Sequence, residues 1–139
     1  MYNSSINPTF LPGRYNKLGE PRTHFMREGV LQLPASVTPT LRFPLFWISF
    51  HNLPQWLYFR LADRTLKKDG YLNTYFHPWE FMDIGPRAKY DFPFYVTRNT
   101  DLRMVKRFEK LILWGKKTGC DFVRSHDFVK GVMAENSKP

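Results

Sequence analysis

Residues 71–81 read Tyr-Leu-Asn-Thr-Tyr-Phe-His-Pro-Trp-Glu-Phe, and this stretch decides the predicted fold. Residues 71–76 combine aromatic and apolar side chains, which predicts a strand. The strand is expected to end at His77, because Pro78 has no backbone N–H with which to continue a ladder. In parallel α/β folds the reactive side chains lie at the carboxyl ends of strands. We therefore expect His77 to face a crevice.

The segments before this stretch alternate between strand and helix patterns. Residues 29–37 predict a strand interrupted by a proline, and a short helix is expected around residues 45–50. From Pro54 the apolar residues recur at helical spacing as far as Gly70, a typical helix terminator. Residues 1–27 are rich in Asn, Pro, Gly and Arg, which predicts an irregular crossing segment.

The segments after the stretch continue the same alternation. After a loop at residues 82–99, Thr100 or Asp101 is expected to cap a helix that ends at Gly119. A short buried strand is predicted at residues 120–123. The apolar stripe of the helix consists of Leu102, Val105, Phe108, Leu111 and Ile112.

The order of these elements predicts the fold class. Ser125 is expected to cap a last helical turn, and the polar tail at residues 134–139 should fray. Strands that alternate with helices predict parallel strands joined by right-handed crossovers. The expected architecture is α/β, half of a barrel, with residues 1–139 forming one partial domain.

The His-Pro-Trp-Glu stretch resembles the histidine-bearing late strand of polysaccharide deacetylases, the NodB-homology family, in the branch with an aromatic-His-Pro-Trp-Glu motif. Residues 2–9, 11–16 and 29–36 are similar to successive pieces of the C-terminal half of those enzymes. They read Tyr-Asn-Ser-Ser-Ile-Asn-Pro-Thr, Leu-Pro-Gly-Arg-Tyr-Asn and Gly-Val-Leu-Gln-Leu-Pro-Ala-Ser. Asn3 stands where the family usually has aspartate. The resemblance spans most of residues 2–82.

The resemblance implies the C-terminal half of a (β/α) barrel that takes part in metal-dependent hydrolysis of N-acetyl groups on glycans. The family's paired aspartates, its two metal-binding histidines and its substrate arginine motif precede the part that this chain matches. We therefore expect a truncated product or a piece of a longer chain, with no metal or other cofactor of its own and no activity alone. In the full-length family the metal is a divalent ion, expected to be zinc. The expected partners are the glycan and either the missing N-terminal half or another subunit.

The resemblance also assigns the site residues. By motif position, His77 matches the catalytic acid, a role that suits imidazole because its proton affinity can be tuned near neutral pH. Trp79, Glu80 and Arg14 are the expected substrate-binding residues. Trp79 would stack on a sugar ring, and Glu80 would accept a sugar hydroxyl or orient an imidazole.

Each of these residues also has a structural interpretation. His77 and Trp79 could be core residues, and Glu80 could be a surface carboxylate or a helix-start cap. Arg14 could pair with a local carboxylate. The other histidines carry less weight: His24 and His51 are placed in loops without ligand spacing, and His126 in a capping neighbourhood.

The chain has 21 Lys and Arg against 12 Asp and Glu, a formal net charge of +9. This balance favours an acidic partner such as nucleic acid or an anionic membrane surface. However, the basic residues are scattered, which favours solvated helix faces, and we expect no nucleic-acid partner. A non-catalytic glycan-binding or scaffolding remnant is the alternative function, and a basic nucleic-acid-binding protein is the third. The basic residues in question are Arg60, Arg64, Lys67, Lys68, Arg103, Lys106, Arg107, Lys110, Lys116 and Lys117.

Cysteine content and hydropathy limit the other classes. Cys120 is the only cysteine, so an internal disulfide and a cysteine metal site are both excluded, and a packed thiol is expected. The sequence has no leader pattern, and the longest apolar candidate, residues 41–57, is broken by polar residues and prolines. We expect no transmembrane segment and a cytoplasmic or membrane-peripheral location.

Overall fold

A computed structural model describes residues 1–11, 15–84 and 91–136, and the side chains of these residues apart from Tyr15 and Asn136. This part of the chain is a mixed α/β fold with one three-stranded sheet, one two-stranded sheet, five α-helices and a 3-10 helix. The helices account for most of the regular secondary structure, because the strands are only two or three residues long.

The two sheets are both formed before residue 33. β1 pairs in parallel with β5, and β5 pairs antiparallel with β4, which gives the order β1-β5-β4. β2 and β3 form a separate antiparallel pair. The segment predicted to be irregular therefore contains four short strands. The strands are β1 (Tyr2–Asn3), β2 (Phe10–Leu11), β3 (Tyr15–Asn16), β4 (Phe25–Arg27) and β5 (Val30–Gln32).

The helices follow the sheets along the chain. α5 packs on the three-stranded sheet through Val129, which lies against Leu31 and Leu33. Residues of α1, α2, the 3-10 helix and α4 contribute to a second apolar cluster that includes Phe50, Tyr58 and Met104. The helices are α1 (Trp47–Asn52), α2 (Gln55–Asp69), the 3-10 helix (Pro78–Phe81), α3 (Phe94–Thr97), α4 (Leu102–Lys117) and α5 (Ser125–Asn136).

The prediction of a helix between Pro54 and Gly70 is confirmed by α2. Proline fixes the backbone angle that suits a helix start, and Gly70 ends the helix with a φ of 78°. The Gly70 N–H donates to the Leu66 carbonyl oxygen at 2.8 Å, which satisfies one of the last free carbonyls. The short helix expected around residues 45–50 is also present as α1.

The helix predicted after Asp101 is confirmed as α4, but its predicted apolar stripe is partly wrong. Met104 and Leu111 are buried, whereas Leu102 and Val105 are exposed. The helix is rotated so that the row through Met104, Phe108 and Leu111 faces α2 and Phe50. Spacing of three and four residues marks a face of a helix, and two faces of α4 satisfy that spacing.

The strand predicted at residues 71–76 is not present as a strand. The segment is extended, but its hydrogen bonds involve side chains instead of a backbone ladder. The Asn73 side-chain amide donates to the carbonyls of Leu33 (3.1 Å) and Pro34 (3.0 Å), and the Asn73 N–H donates to Ser36 Oγ at 2.8 Å. Two backbone bonds are present, from the Ser36 N–H to the Asn73 carbonyl at 2.8 Å and from the Trp47 N–H to the Tyr75 carbonyl at 3.2 Å. The segment therefore lies beside residues 33–36 without pairing as a sheet.

The strand predicted at residues 120–123 is wrong. These residues form an exposed connection between α4 and α5, and the Phe122 ring lies over Gly115 at the surface of α4. Cys120 is half-buried, and its sulfur contacts Thr118 Oγ1 at 3.4 Å. The thiol is therefore not packed in a core as expected.

The half barrel stays a prediction. β1 and β5 are the one parallel pair among the described strands, and they are not joined by a single crossover helix. At the end of the described chain, residues 134–136 belong to α5, while 137–139 lie outside the described residues. Within the described residues, none of the helices has both the length and the apolar character that a membrane span requires.

Candidate functional site

The 3-10 helix Pro78–Phe81 brings His77 and Glu80 together. His77 is the residue before the helix, and Pro78 supplies the fixed backbone angle of its first position. Glu80 Oε1 accepts the His77 backbone N–H at 2.6 Å and lies 2.6 Å from His77 Nδ1. A carboxylate three residues after the cap can reach back in this way, as in a capping box. The spacing of His77 and Glu80 therefore allows this contact to form within the local sequence.

The same carboxylate joins a second imidazole. Glu80 Oε2 lies 2.8 Å from His51 Nε2, and both side chains are 0% exposed. His51 Nδ1 lies 2.5 Å from the Arg98 carbonyl oxygen. The sequence interpretation that placed His51 in a loop without ligand spacing was wrong about the loop, because His51 lies in the last turn of α1 and is completely enclosed.

The His77 ring is at the edge of this buried pair. Its side chain is 39% exposed, and Trp79 stacks on it with ring centres 5.6 Å apart and planes 20° apart. Trp47 and Tyr75 meet the ring edge-on at 5.5 and 5.6 Å. No described residue forms a hydrogen bond with His77 Nε2. The imidazole is thus anchored through Nδ1, and part of its side chain is exposed.

A turn at residues 98–101 closes the site from behind. The Asn99 side-chain amide donates to the His51 carbonyl at 2.6 Å, and the Asp101 N–H donates to the Glu80 carbonyl at 3.0 Å. Asn99 and Asp101 have φ values of 58° and 60°, a region that non-glycine residues adopt at a cost. These two hydrogen bonds, together with the one between His51 Nδ1 and the Arg98 carbonyl, therefore hold the strained turn against His51 and Glu80.

Arg107 fixes the helix that carries His51. Its guanidinium donates to the Phe50 carbonyl (3.1 and 2.5 Å) and to the Leu53 carbonyl (2.7 Å) at the C-terminal end of α1. Burial lowers the pKa of Arg107 below its ordinary value. A cation is favourable at that end of a helix. Arg107 was predicted on a solvated helix face, and this prediction was wrong.

The predicted site residues are only partly brought together. His77, Trp79 and Glu80 form one cluster, whereas Arg14 lies outside the described residues. Trp79 is half-buried and packs on Trp47 as well as on His77, so it combines the packing and stacking interpretations. Glu80 is fully buried with hydrogen bonds on both oxygens, which suits the role of orienting an imidazole and leaves no oxygen open to a sugar.

The remaining histidines take no part in this cluster. His24 packs between Tyr71 and Phe128, with ring centres 5.7 and 6.0 Å away. His126 is exposed on α5, and the neighbouring Asp127 pairs with Arg124.

A divalent metal does not fit the described residues. They contain no group of three or more His, Cys, Asp or Glu side chains that could hold one. Both nitrogens of His51 and both oxygens of Glu80 are already engaged in hydrogen bonds.

The comparisons with known proteins leave this geometry to be interpreted by itself. No family model, curated protein or solved structure matches the chain. The deacetylase resemblance therefore stays a prediction from the motif.

An apolar cavity of about 550 Å³ lies on the other face of α1. None of His51, His77, Trp79 and Glu80 lines it. Three of its polar lining groups bond nearby carbonyls: Thr9 Oγ1 donates to Arg42, Ser49 Oγ to Pro44 and the Asn52 amide to Ile48. Its apolar lining includes Phe10, Leu18, Leu41, Ile48, Leu53 and Tyr95.

Proposed function

We propose that this chain is the C-terminal part of a polysaccharide deacetylase, in which His77 acts as the acid in the hydrolysis of N-acetyl groups on glycans. The observation that supports this proposal is the presentation of His77. Its Nδ1 is anchored to the buried Glu80 carboxylate, and its Nε2 has no partner among the described residues.

This arrangement matches what an acid catalyst needs. Cleavage of an amide requires a proton for the departing amine, and a positioned imidazole can supply it. A protonated His77 would donate from Nε2 while the Glu80 carboxylate stabilises the positive charge through Nδ1. After the transfer, the neutral ring keeps its Nδ1–H on Glu80. The buried Glu80 carboxylate therefore stabilises the His77 ring both before and after it gives up its proton.

The described residues account for the acid alone. Generation of the attacking hydroxide is assigned to the metal and base that the resemblance places in the other half of such an enzyme. This division of roles gives the expectation that the isolated chain is inactive.

Trp79 supplies the proposed contact with the sugar. Its indole is half-buried and stacks on the His77 ring, so one ligand ring could contact both groups. Aromatic faces suit the C–H face of a sugar, and a sugar bound there would bring its N-acetyl group near Nε2.

Tryptophan fluorescence tests this site. Addition of N-acetylated chitooligosaccharides is expected to give a saturable change that is lost in Trp79→Ala. Trp56→Ala is the matched control, because Trp56 is 66% exposed on α2, outside the aromatic contacts of His77. A change that survives in Trp79→Ala, or no change at millimolar glycan, contradicts the proposal.

Acetate release tests the division of roles. The chain, stripped of metal and resupplied with zinc, is expected to release no more acetate from chitooligosaccharides than His77→Ala does. Release well above that variant would show that the chain contains its own metal and base, which contradicts the proposed division.

A further inference from the structure

We propose that His51 is a positioning residue for His77, and that it acts by sharing one buried proton with Glu80. The link to catalysis rests on the proposed function of His77. The placement of the proton rests on hydrogen-bond geometry alone, so the two can fail separately.

The contact with Arg98 places one hydrogen on His51 Nδ1. Its Nδ1 lies 2.5 Å from the Arg98 carbonyl oxygen. A carbonyl oxygen can only accept, so Nδ1 must carry the hydrogen. A neutral imidazole has one N–H, and Nε2 would then be left as a bare acceptor.

The contact between His51 and Glu80 requires a second hydrogen. His51 Nε2 and Glu80 Oε2 are 2.8 Å apart, and neither side chain is exposed. Two acceptors at this distance would repel each other without water to screen them. A proton must therefore lie between them, either on the carboxylate or on Nε2.

The other oxygen of Glu80 indicates where that proton resides. Oε1 has two nitrogens at 2.6 Å, the backbone N–H and Nδ1 of His77. The backbone N–H donates to Oε1, and the His77 tautomer with hydrogen on Nδ1 adds a second donor; two N–H donors favour the ionised form of a carboxyl group. The proton is thus assigned to His51 Nε2, which makes the pair an imidazolium and a carboxylate.

The charged neighbours fit this assignment. Arg107 is bonded to the carbonyls at the end of α1, and the Arg98 guanidinium lies over the Phe94 ring at 5.6 Å. Both are cations on elements that pack against α1, so they oppose a positive charge on His51. Glu80 and the Arg98 carbonyl oxygen are the groups that offset this effect.

The consequence for His77 is indirect. Without His51, Glu80 Oε2 would be a buried oxygen with no partner, and the carboxyl group would gain by protonation or rotation. Either change weakens the acceptor that keeps the hydrogen on His77 Nδ1. His51, which lies 26 positions earlier in the chain, therefore keeps the hydrogen of the neutral His77 ring on Nδ1 and leaves Nε2 without one.

Nitrogen-15 NMR of the histidine side chains tests the proton directly. In the folded wild-type protein, His51 is expected to carry hydrogen on both nitrogens and His77 on Nδ1 only. In Glu80→Gln the amide can donate to His51 Nε2 and accept from His77, so His51 is expected to lose one N–H while His77 keeps its form. The same spectrum for His51 in both proteins overturns the shared proton.

Two substitutions at His51 test the positioning role. His51→Phe removes the donor, and His77 is expected to populate the form with hydrogen on Nε2. His51→Gln retains an N–H donor and is expected to restore the wild-type form at least in part. His126→Gln on the exposed face of α5 is the control and should leave His77 unchanged.

Folding of each variant is checked by its thermal transition. If His51→Phe does not fold, the comparison of wild type, Glu80→Gln and His51→Gln still decides the proposal. A His77 ring that keeps hydrogen on Nδ1 alone in folded His51→Phe overturns the positioning role. Glycan is absent from these samples, so failure to bind glycan is a separate result.

Discussion

Glu80 holds two imidazoles at once, with His77 on one oxygen and His51 on the other. The contact with His77 could be predicted from the sequence, since it spans three residues and follows capping geometry. The contact with His51 spans 29 residues, and its partner also depends on the turn that presents the Arg98 carbonyl. The residues around His51 contain no information about a partner so far along the chain. For this reason the contact with Glu80 could not be predicted from the sequence.

Loss of the Glu80 side chain is expected to destabilise the protein strongly. Glu80→Ala leaves His51 without its buried partner, and the free energy of unfolding should fall by about 3–5 kcal/mol. Glu80→Gln retains hydrogen-bonding groups on both sides, so its free energy of unfolding should fall less than that of Glu80→Ala. Urea denaturation measures both. Glu109→Ala, at an exposed site on α4, should stay within about 0.5 kcal/mol of wild type. An equal loss in the alanine variants of Glu80 and Glu109 would refute the buried pair.

Tyr58 predicts a loss of stability at alkaline pH. Burial raises its pKa to about 12, and its hydroxyl donates to the Leu45 carbonyl at 3.1 Å. The unfolded chain ionises near pH 10, so it releases its proton first, and the free energy of unfolding should fall as pH rises from 10 towards 12. Each pKa unit corresponds to about 1.4 kcal/mol, which gives a full effect of about 2.7 kcal/mol.

Tyr58→Phe separates this effect from other tyrosines. Burial also raises the pKa of Tyr71, so part of the alkaline loss should remain in the variant. Urea denaturation between pH 8 and roughly 11.5 should show a shallower fall for Tyr58→Phe than for wild type. Parallel curves would mean that the Tyr58 hydroxyl is not held neutral by the fold.

At the scale of elements, the helices could be predicted, whereas of the predicted strands the one at residues 29–37 is present in part, as β5 (Val30–Gln32). Pro54 and Gly70 act within their own helix, so their meaning is local. Residues 71–76 have a strand-like composition, but Asn73 and Ser36 form hydrogen bonds between the two segments through their side chains. In a sheet these hydrogen bonds would join backbone groups. The buried face of α4 depends on where α2 lies, which the repeat of apolar residues does not specify.

The end of α2 gives a matched pair of glycine substitutions. Gly70 has a φ of 78°, and a Cβ there would meet no atom within 4 Å, so strain would come from the backbone alone. Gly70→Ala should lower the free energy of unfolding by about 1–2 kcal/mol. Gly131→Ala in α5 also meets open space and should raise it by about 0.5–1 kcal/mol. Thermal unfolding of the two variants measures the difference. The same sign for both would show that α2 does not end as described.

Arg107 predicts a link between α4 and α1. Arg107→Met keeps much of the chain length but removes the donors to the Phe50 and Leu53 carbonyls, and should cost about 1.5–3 kcal/mol. Lys106→Met is the control on the adjacent, exposed position of the same helix. Urea denaturation compares them, and a similar small loss in both would mean that Arg107 is solvated, as the sequence first suggested.

At the scale of the whole molecule, the candidate site lies where three distant segments meet. α1 supplies His51, the 3-10 helix supplies Glu80, and the turn at residues 98–101 closes the site behind them. The apolar cluster of Phe46, Trp47 and Val96 packs beneath this junction. The motif therefore identified the residue that faces outward, and the fold was needed to show what holds it. Ten of the 21 Lys and Arg residues lie at exposed helix positions in the described part of the chain, whereas Arg107 is half-buried.

The most direct measurement is the nitrogen-15 spectrum of the His77 side chain during titration with an N-acetylated chitooligosaccharide and with its fully deacetylated counterpart. The acetylated glycan is expected to shift the Nε2 resonance of His77 saturably, to leave both nitrogens of His51 in place, and to have a larger effect than the deacetylated one. A His77 resonance that stays fixed while tryptophan fluorescence reports binding would contradict the proposed acid and favour a glycan-binding protein without catalysis.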